Sequence, residues 1–447
     1  MLDESLLDAP EALARADTRG LLRGAAESGA RVRTAARHAA EAGVADLKPD
    51  GRPRAVLVAG PGAAGSCTAD LLGALSGGNI PVSLIGPTGV APAPGALRWA
   101  LPGWASPLDL LVIATPDGTE PGLPRLVEQA YRRGCALVAV APGHSPLAGA
   151  VAQARGLMVP LATSSYGPPG SSPAPPDAPP YTTAPTRSEV RPEAGPEAWP
   201  EDSPQGPPPE GALGDPAHSG GHPHHTTPPH IEPPGTAPDE VTGPALPGTL
   251  WALLTPLLML VDRIGLISAP PAALQQVADR LDRVAERCGP AIATYTNPAK
   301  TLAAELSESL PLLWTEGPVA AAAGRRFAGL LAALAGRPAL PADLPGALAA
   351  HGTLLAGSFA GGADPDDFFR DRVEEPEALR ARIVLLHDEP VGPVSAVPAA
   401  RELALAHETA FSELEPDEGS PLERAAELLA ITDFAAVYLA LASADRT

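Results

Sequence analysis

Residues 164–246 cut this 447-residue chain in two. Proline supplies more than a quarter of that tract, and five of the chain's ten histidines fall in it. Ser, Gly, Thr and acids make up much of the rest, and no apolar periodicity runs through it. Such a segment cannot bury enough surface to offset the entropy of ordering. It is expected to be a disordered, partly polyproline insert. Any folded architecture must therefore come from what lies on either side. His222-Pro223-His224-His225 and His230 offer imidazoles that could hold a transition metal weakly; as part of a biased, solvated tract they need no ligand, and no metal site is expected.

The flanking parts read as α/β. Residues 1–49 are expected to form leading helices, with Leu21, Leu22, Ala25 and Ala26 on one stripe that Val32 and Ala36 extend. The period then changes. Ala55-Val56-Leu57-Val58-Ala59 is a short continuous apolar run, as suits a strand buried on both faces of a parallel sheet. Further strands are expected at 81–85, 110–114, 136–141 and 157–161, with helices at 67–75 and 122–133 between them. Alternation of this kind predicts a parallel sheet with right-handed crossovers over 50–163. A second α/β lobe is expected over 248–443. It has a helix with a proline turn at 250–264, an amphipathic helix at 272–286 and a strand at 309–314. An alanine-rich helix at 319–334, a strand end at 354–357, a strand at 382–386 and helices at 398–409 and 421–443 complete it. Aromatics are only 4% of the chain, so both cores must be aliphatic.

The formal net charge of −21 repels phosphate backbones and excludes a general nucleic-acid role, though not a small basic pocket for one phosphate. Cys67, Cys135 and Cys288 are odd in number and in no metal spacing. Cys135 sits in an apolar run, where a buried thiol is expected. A reducing cytoplasm follows as the expected compartment. Met1–Pro10 has no cationic start or apolar stretch, so no signal peptide is expected. The longest apolar run, Leu250–Val261, is interrupted by Pro256. It falls short of the ~20 residues that a bilayer requires, so no membrane span is expected.

Two loops could carry chemistry. Gly60-Pro61-Gly62-Ala63-Ala64-Gly65, followed by Ser66, lies between a strand and a helix and fits the dinucleotide fingerprint GxGxxG. Its glycines would let a pyrophosphate approach a helix N-terminus. The second strand, however, ends Ser83-Leu84-Ile85-Gly86-Pro87, without the acid that would hold ribose hydroxyls. A turn for a single phosphate and a purely structural turn are the other readings. The second loop is Thr115-Pro116-Asp117-Gly118-Thr119-Glu120, whose amides and hydroxyl could meet a phosphate. Asp117 would oppose an anion unless it points away, and Thr119 could equally be a helix cap.

The segment Val56–Leu75 resembles the opening strand, glycine turn and helix of sugar isomerase (SIS) domains. Ile113–Leu123 is similar to the family's second phosphate loop, and Ala130–Ser145 to the helix, strand and turn that follow. In the second lobe, Asn297-Pro298-Ala299-Lys300 through Trp314 resembles the C-terminal half of bacterial bifunctional phosphoglucose/phosphomannose isomerases. So do Arg326-Phe327, Leu344-Pro345, His351 and Asp433–Ala440. The resemblance implies two SIS-like lobes, each a parallel sheet flanked by helices, around the insert. It implies a hexose phosphate substrate, no cofactor, and a homodimer in which His351 opens the sugar ring in the partner's site. Phosphate contacts would come from Gly62, Gly65, Ser66, Gly118 and Thr119.

Aldose–ketose isomerisation needs a carboxylate that shuttles a proton between C1 and C2 through an enediol, and cations that steady the charge. Carried over by position, the family's base glutamate falls on Ala333 and its arginine near the helix at 250 falls on Gly248. The phosphate-loop serines fall on Ala114 and Pro116, and no lysine follows Asp433–Ala440. Glu305, Glu308 and Glu316 are the nearby carboxylates that could stand in. The sequence thus predicts an isomerase-family protein that binds a sugar phosphate with weak or absent catalysis. The alternatives are a non-catalytic regulatory or interaction protein and a nucleotide-binding oxidoreductase.

Overall fold

The computed structural model describes residues 4–48, 51–89, 97–161, 246–356 and 380–443, with the side chains of Ala63 and Ala64 left out. The expected proline-rich insert and its histidines lie outside the described residues, apart from Leu246. The first sheet has strand order β2-β1-β3-β4-β5. These are β1 (Val56–Ala59), β2 (Val82–Ile85), β3 (Leu110–Ala114), β4 (Ala136–Ala141) and β5 (Leu157–Pro160). The second sheet has order β7-β6-β8-β9, built from β6 (Ser309–Glu316), β7 (Leu340–Asp343), β8 (Arg380–His387) and β9 (Ala410–Leu414). Every pairing in both sheets is parallel.

The continuous apolar runs are explained by burial on both faces. Because strand side chains alternate, one strand feeds two cores. Leu57, Ala59, Leu111 and Ile113 pack with Leu126 and Val127 of α6 (Gly122–Arg133) and Val151 of α7 (Pro146–Gln153). Val56, Val58, Leu110 and Val112 face the opposite way. There they join a core shared with Leu313, Val384 and Leu386 of the second sheet, so the inner faces of the two sheets belong to one apolar body. The outer face of the second sheet, with Leu312, Trp314 and Ile383, packs on α12 (Gly346–Ala356) and α13 (Val397–Ala406).

Helices fill the shared core: the leading helices α1 (Glu4–Leu7), α2 (Pro10–Ala16), α3 (Leu21–Ala26) and α4 (Ser28–Glu41), then α5 (Gly62–Leu75), α8 (Thr249–Arg263), α9 (Pro271–Arg287), α10 (Pro298–Leu306), α11 (Pro318–Ala335) and α14 (Pro421–Ser443). The first helix after each sheet's opening strand, α5 and α11, pack on each other. Their exposed faces are joined by Arg325 and Asp70 at 2.8 Å. Helix α14 is long and apolar enough to cross a membrane, but 94% of its apolar window is buried inside the protein. Its apolarity therefore comes from contact with α9, α10 and α11 on several sides.

Several expectations needed correction. Leu354–Ala356 form the last turn of α12 rather than a strand end, and Gly357 lies outside the described residues. The expected proline turn near 250–264 is a continuous helix containing Pro256. Strands β7 and β9 were not anticipated, because LPAD and AFSEL lack long apolar runs and are only partly buried at the sheet edges. Cys67, Cys135 and Cys288 are all free and buried. Burial pushes the Cys67 thiol up to about 12 and the Cys288 thiol up to about 11, so neither is a ready nucleophile.

Candidate functional site

In an open parallel sheet, ligands settle at the carboxyl ends of the strands where the strand order reverses. The first sheet reverses between β1 and β3. The Gly60–Gly65 turn leaves β1 there, beside the Thr115–Glu120 loop that leaves β3. Close packing accounts for two of the glycines. A Cβ on Gly60 would lie 2.2 Å from the Ala114 carbonyl oxygen, and one on Gly65 would lie 2.6 Å from the Gly60 carbonyl oxygen. Gly62 has a φ of 68°, in the left-handed region. It opens α5, whose first turn has no side-chain cap, and Ser66 follows one turn on, half-buried.

The second loop is closed on itself. The Thr115 hydroxyl donates to Asp117 Oδ1 (3.0 Å) and accepts from the Gly118 amide (3.1 Å). The Thr119 amide donates to Asp117 Oδ1 at 3.2 Å. The two amides assigned to phosphate by sequence are thus engaged by acceptors of their own loop, one of them an anion. Thr119 does not cap α6; the Glu120 carboxylate accepts from the Gly122 amide instead.

The second sheet reverses between β6 and β8. Here the helix N-terminus is already filled. Asp388, just past β8, accepts at Oδ2 from the amides of Val319 (2.6 Å) and Ala320 (3.0 Å) in the first turn of α11. Its carboxylate lies where an external anion would be attracted by the helix dipole. A Cβ on Gly317 would sit 1.8 Å from Asp388 Oδ1, so only glycine permits this capping. Asp388 Oδ1 is buried with no partner among the described residues. Burial pushes the Asp388 carboxyl above its ordinary range, against the pull of the two amides. Sequence reasoning missed this residue. The available signal was Gly317-Pro318 at the helix start, where neither residue has a capping side chain.

His351 lies on α12 against the outer face of the second sheet. Its Nδ1 accepts from Trp314 Nε1 at 2.8 Å. The ring's proton must then sit on Nε2 when neutral. Burial lowers its pKa from the ordinary 6.5. The stability it confers is therefore complete above that value and is lost as pH falls through the lower folded pKa. Nitrogen-15 NMR of the histidine rings should show a neutral Nε2–H tautomer at pH 7 and protonation only at a pH below 6.5. An Nδ1–H tautomer at neutral pH would contradict the geometry.

The structure also locates the positions to which the resemblance carries the family's base and arginine. Ala333 is exposed near the end of α11. Gly248 has a φ of 81°, and a Cβ there would meet the Gly24 carbonyl oxygen at 2.2 Å, so an arginine does not fit the present backbone. Of the three alternative carboxylates, Glu308 is exposed just before β6, and Glu305 is tied to Ser412 (2.6 Å) and Arg382 (3.4 Å). Both precede β6, at the edge opposite to the strand ends. Only Glu316 stands at the carboxyl edge. Its two oxygens accept from the Ser395 hydroxyl and the Ala396 amide, each at 2.6 Å. Among the described residues, no group of three or more His, Cys, Asp or Glu side chains could hold a metal.

The motifs that carried the resemblance have structural tasks. Asn297 caps α10 by accepting from Ala299 and Lys300, and donates to the Gly289 carbonyl. Lys300 donates to the carbonyls of Pro290 and Ile292, and its ammonium lies 5.5 Å from the centre of the Tyr438 ring. Arg326 binds Asp433 through two parallel bonds.

Comparison with known proteins agrees with this architecture. Residues 295–444 match the family model of the bacterial phospho-glucose isomerase C-terminal SIS domain. A hypothetical protein of Thermus thermophilus superposes with a TM-score of 0.53 at 14% identity, covering 98% of this chain and 89% of that one. A protein of Clostridium difficile 630, described provisionally as a phosphosugar isomerase, gives 0.52 at 11% identity over 95% and 93% of the two chains. At such identities the likeness is one of fold alone. No curated protein matches the sequence.

Proposed function

We propose that this chain, whose residues 295–444 match the family model of the bacterial phospho-glucose isomerase C-terminal SIS domain, binds a sugar phosphate without isomerising it. The observation that carries this reading is the state of the carboxylates. The base position is the methyl group of Ala333, and Glu316, the alternative at the carboxyl edge, has both oxygens engaged. A base must be free to take the substrate proton. Binding is assigned to the first sheet's reversal point, where α5 starts without a side-chain cap at the close turn of Gly62 and Gly65, one turn before Ser66. Gly118 and Thr119 join them only if Asp117 turns out of its loop. The resemblance supports a hexose phosphate and a homodimer.

Fructose 6-phosphate is expected to raise the melting temperature, with no glucose 6-phosphate or mannose 6-phosphate formed. Turnover in the ordinary enzymatic range of ~1–10³ s⁻¹ would refute the non-catalytic part. Asp388 supports a second reading, an active isomerase. Its Oδ1 is buried without a partner among the described residues, and its carboxyl is pushed up by burial, as suits a proton-shuttling acid. In that case Asp388→Asn abolishes turnover. A melting shift with NAD and none with sugar phosphates would favour the oxidoreductase, and no shift with either would favour an interaction protein.

A further inference from the structure

A cavity of about 520 Å³ opens at the amino-terminal edge of the first sheet, where β3, β4 and β5 begin. This is the edge opposite to the Gly60 and Thr115 loops, so a ligand here would not share their site. The volume lies within the ~300–1,000 Å³ that small-molecule sites occupy. Leu110, Leu137 and Leu157 from the strand starts and Leu260 and Ile264 from α8 make its walls apolar.

Its charged lining is unusual for this chain. Lys48, Arg52 and Arg155 converge on the cavity in a protein with a net charge of −21. They come from three separate places: the segment after the turn Val44–Asp46, the approach to β1, and the turn between α7 and β5. None of the three has an ion pair or side-chain hydrogen bond among the described residues. Asp109 is the one acid in the lining among the described residues, and it is already neutralised. Arg54 donates to its two oxygens at 3.0 and 2.7 Å, and the Ser106 amide and hydroxyl donate to Oδ2. Among the described residues, no acid in the lining offsets the three cations of the rim.

Arg155 adds a second indication. The Gly156 amide reaches back to the Val151 carbonyl and the Arg155 amide to that of Ala152, which is the hydrogen-bond pattern of a Schellman helix end. The residue in the left-handed position of that motif is ordinarily glycine, yet here Arg155 holds it with a φ of 54°. Glycine follows only at 156, where a Cβ would lie 2.8 Å from Leu137 in the cavity wall. The turn thus presses on the wall and carries a cation in place of the residue that its backbone prefers.

We propose that this cavity binds an anionic amphiphile: a carboxylate or phosphate head at Lys48, Arg52 and Arg155, and an aliphatic body against the leucines. Exposed cations select the charged head and buried apolar walls take the tail, so neither part alone should bind well. The test uses the full chain, titrated below micellar concentrations with decanoate, decyl phosphate, decanol and inorganic phosphate, with affinities from calorimetry at low salt. Decanoate or decyl phosphate should bind at least ~10-fold more tightly than decanol or inorganic phosphate. The double substitution Arg52→Gln/Arg155→Gln should weaken the anionic probes by about tenfold while leaving decanol unchanged. If that variant melts early, Lys48→Gln provides the same comparison. Equal binding of decanol and decanoate, no binding of either anionic probe, or an undiminished affinity in the variants would each overturn the proposal. Fructose 6-phosphate binding serves as the independent control, because it belongs to the opposite edge and should not respond to these substitutions.

Discussion

Asp433→Ala lowers the free energy of unfolding by about 3–5 kcal/mol, an expected loss set by the burial of its partner. Arg326 Nε donates to Asp433 Oδ1 at 2.9 Å and Nη2 donates to Oδ2 at 2.8 Å. Both residues are buried between α11 and α14. Burial works against the guanidinium charge, but the attraction and hydrogen bonds of Asp433 outweigh it and hold the Arg326 pKa above its ordinary range. Without Asp433 the cation stays in an apolar core with no counter-charge. Among the described residues Nη1 has no partner even in the intact pair, so they offer no second acceptor. The double variant Arg326→Met/Asp433→Leu should recover most of the loss, since apolar replacement removes the desolvation cost along with the bond. Urea unfolding of the single and double variants measures both numbers. A double variant as unstable as the single one would show that the pair is irreplaceable in positioning α14.

This pair also shows why the fold was more legible in the sequence than the site. Arg326, Asp433, Asn297, Lys300 and Tyr438 suggested a family because they recur in a recognisable order, and each turns out to be packed around α14. That part of the resemblance therefore rests on buried polar residues that fix helix positions, and such residues say little about catalysis. Strands such as Leu110–Ala114 were readable for a related reason. A segment buried on both faces must be apolar throughout, and this leaves a mark in the sequence. The half-exposed edge strands Leu340–Asp343 and Ala410–Leu414 leave no such mark.

The chemistry of the loops depends instead on side-chain direction, to which spacing is blind. Thr115 and Asp117 could have faced a ligand, yet they bond to each other and to the amides of Gly118 and Thr119. Asp388 lies 69 residues from the Val319 amide it caps, so no local motif announces it. At Gly248 the packing decides what the position can hold. The backbone of Gly24 occupies the space that a side chain at 248 would need, so the arginine that the resemblance would place there does not fit the packing of α8 on the leading helices.

The segment that leads into α14 is held by a second buried carboxylate, and Glu427→Gln is expected to cost about 2–4 kcal/mol at neutral pH. Glu427 Oε2 accepts from Arg280 Nη1 at 2.5 Å and from the Asp417 amide at 3.1 Å, while Oε1 accepts from Arg287. Arg280 in turn donates to the carbonyls of Asp417 and Glu418. One carboxylate therefore fixes two arginines of α9 and the chain entry to α14. Burial alone would raise its pKa; the hydrogen bonds and charges of Arg287 and Arg280 more than reverse this and leave it below the ordinary 4.5. A carboxyl whose folded pKa is depressed stabilises fully above its unfolded pKa and loses that contribution as pH falls through the folded value. The difference in unfolding free energy between the native chain and Glu427→Gln should thus be largest above pH 4.5 and shrink on further acidification. The comparison cancels the depressed carboxyls outside this cluster, Asp8 and Asp109, which are common to both proteins. Chemical denaturation from pH 3 to 7 reads the difference directly. A gap that stays constant with pH would mean that the glutamine disturbs packing, and that the charge of Glu427 does not clamp the arginines.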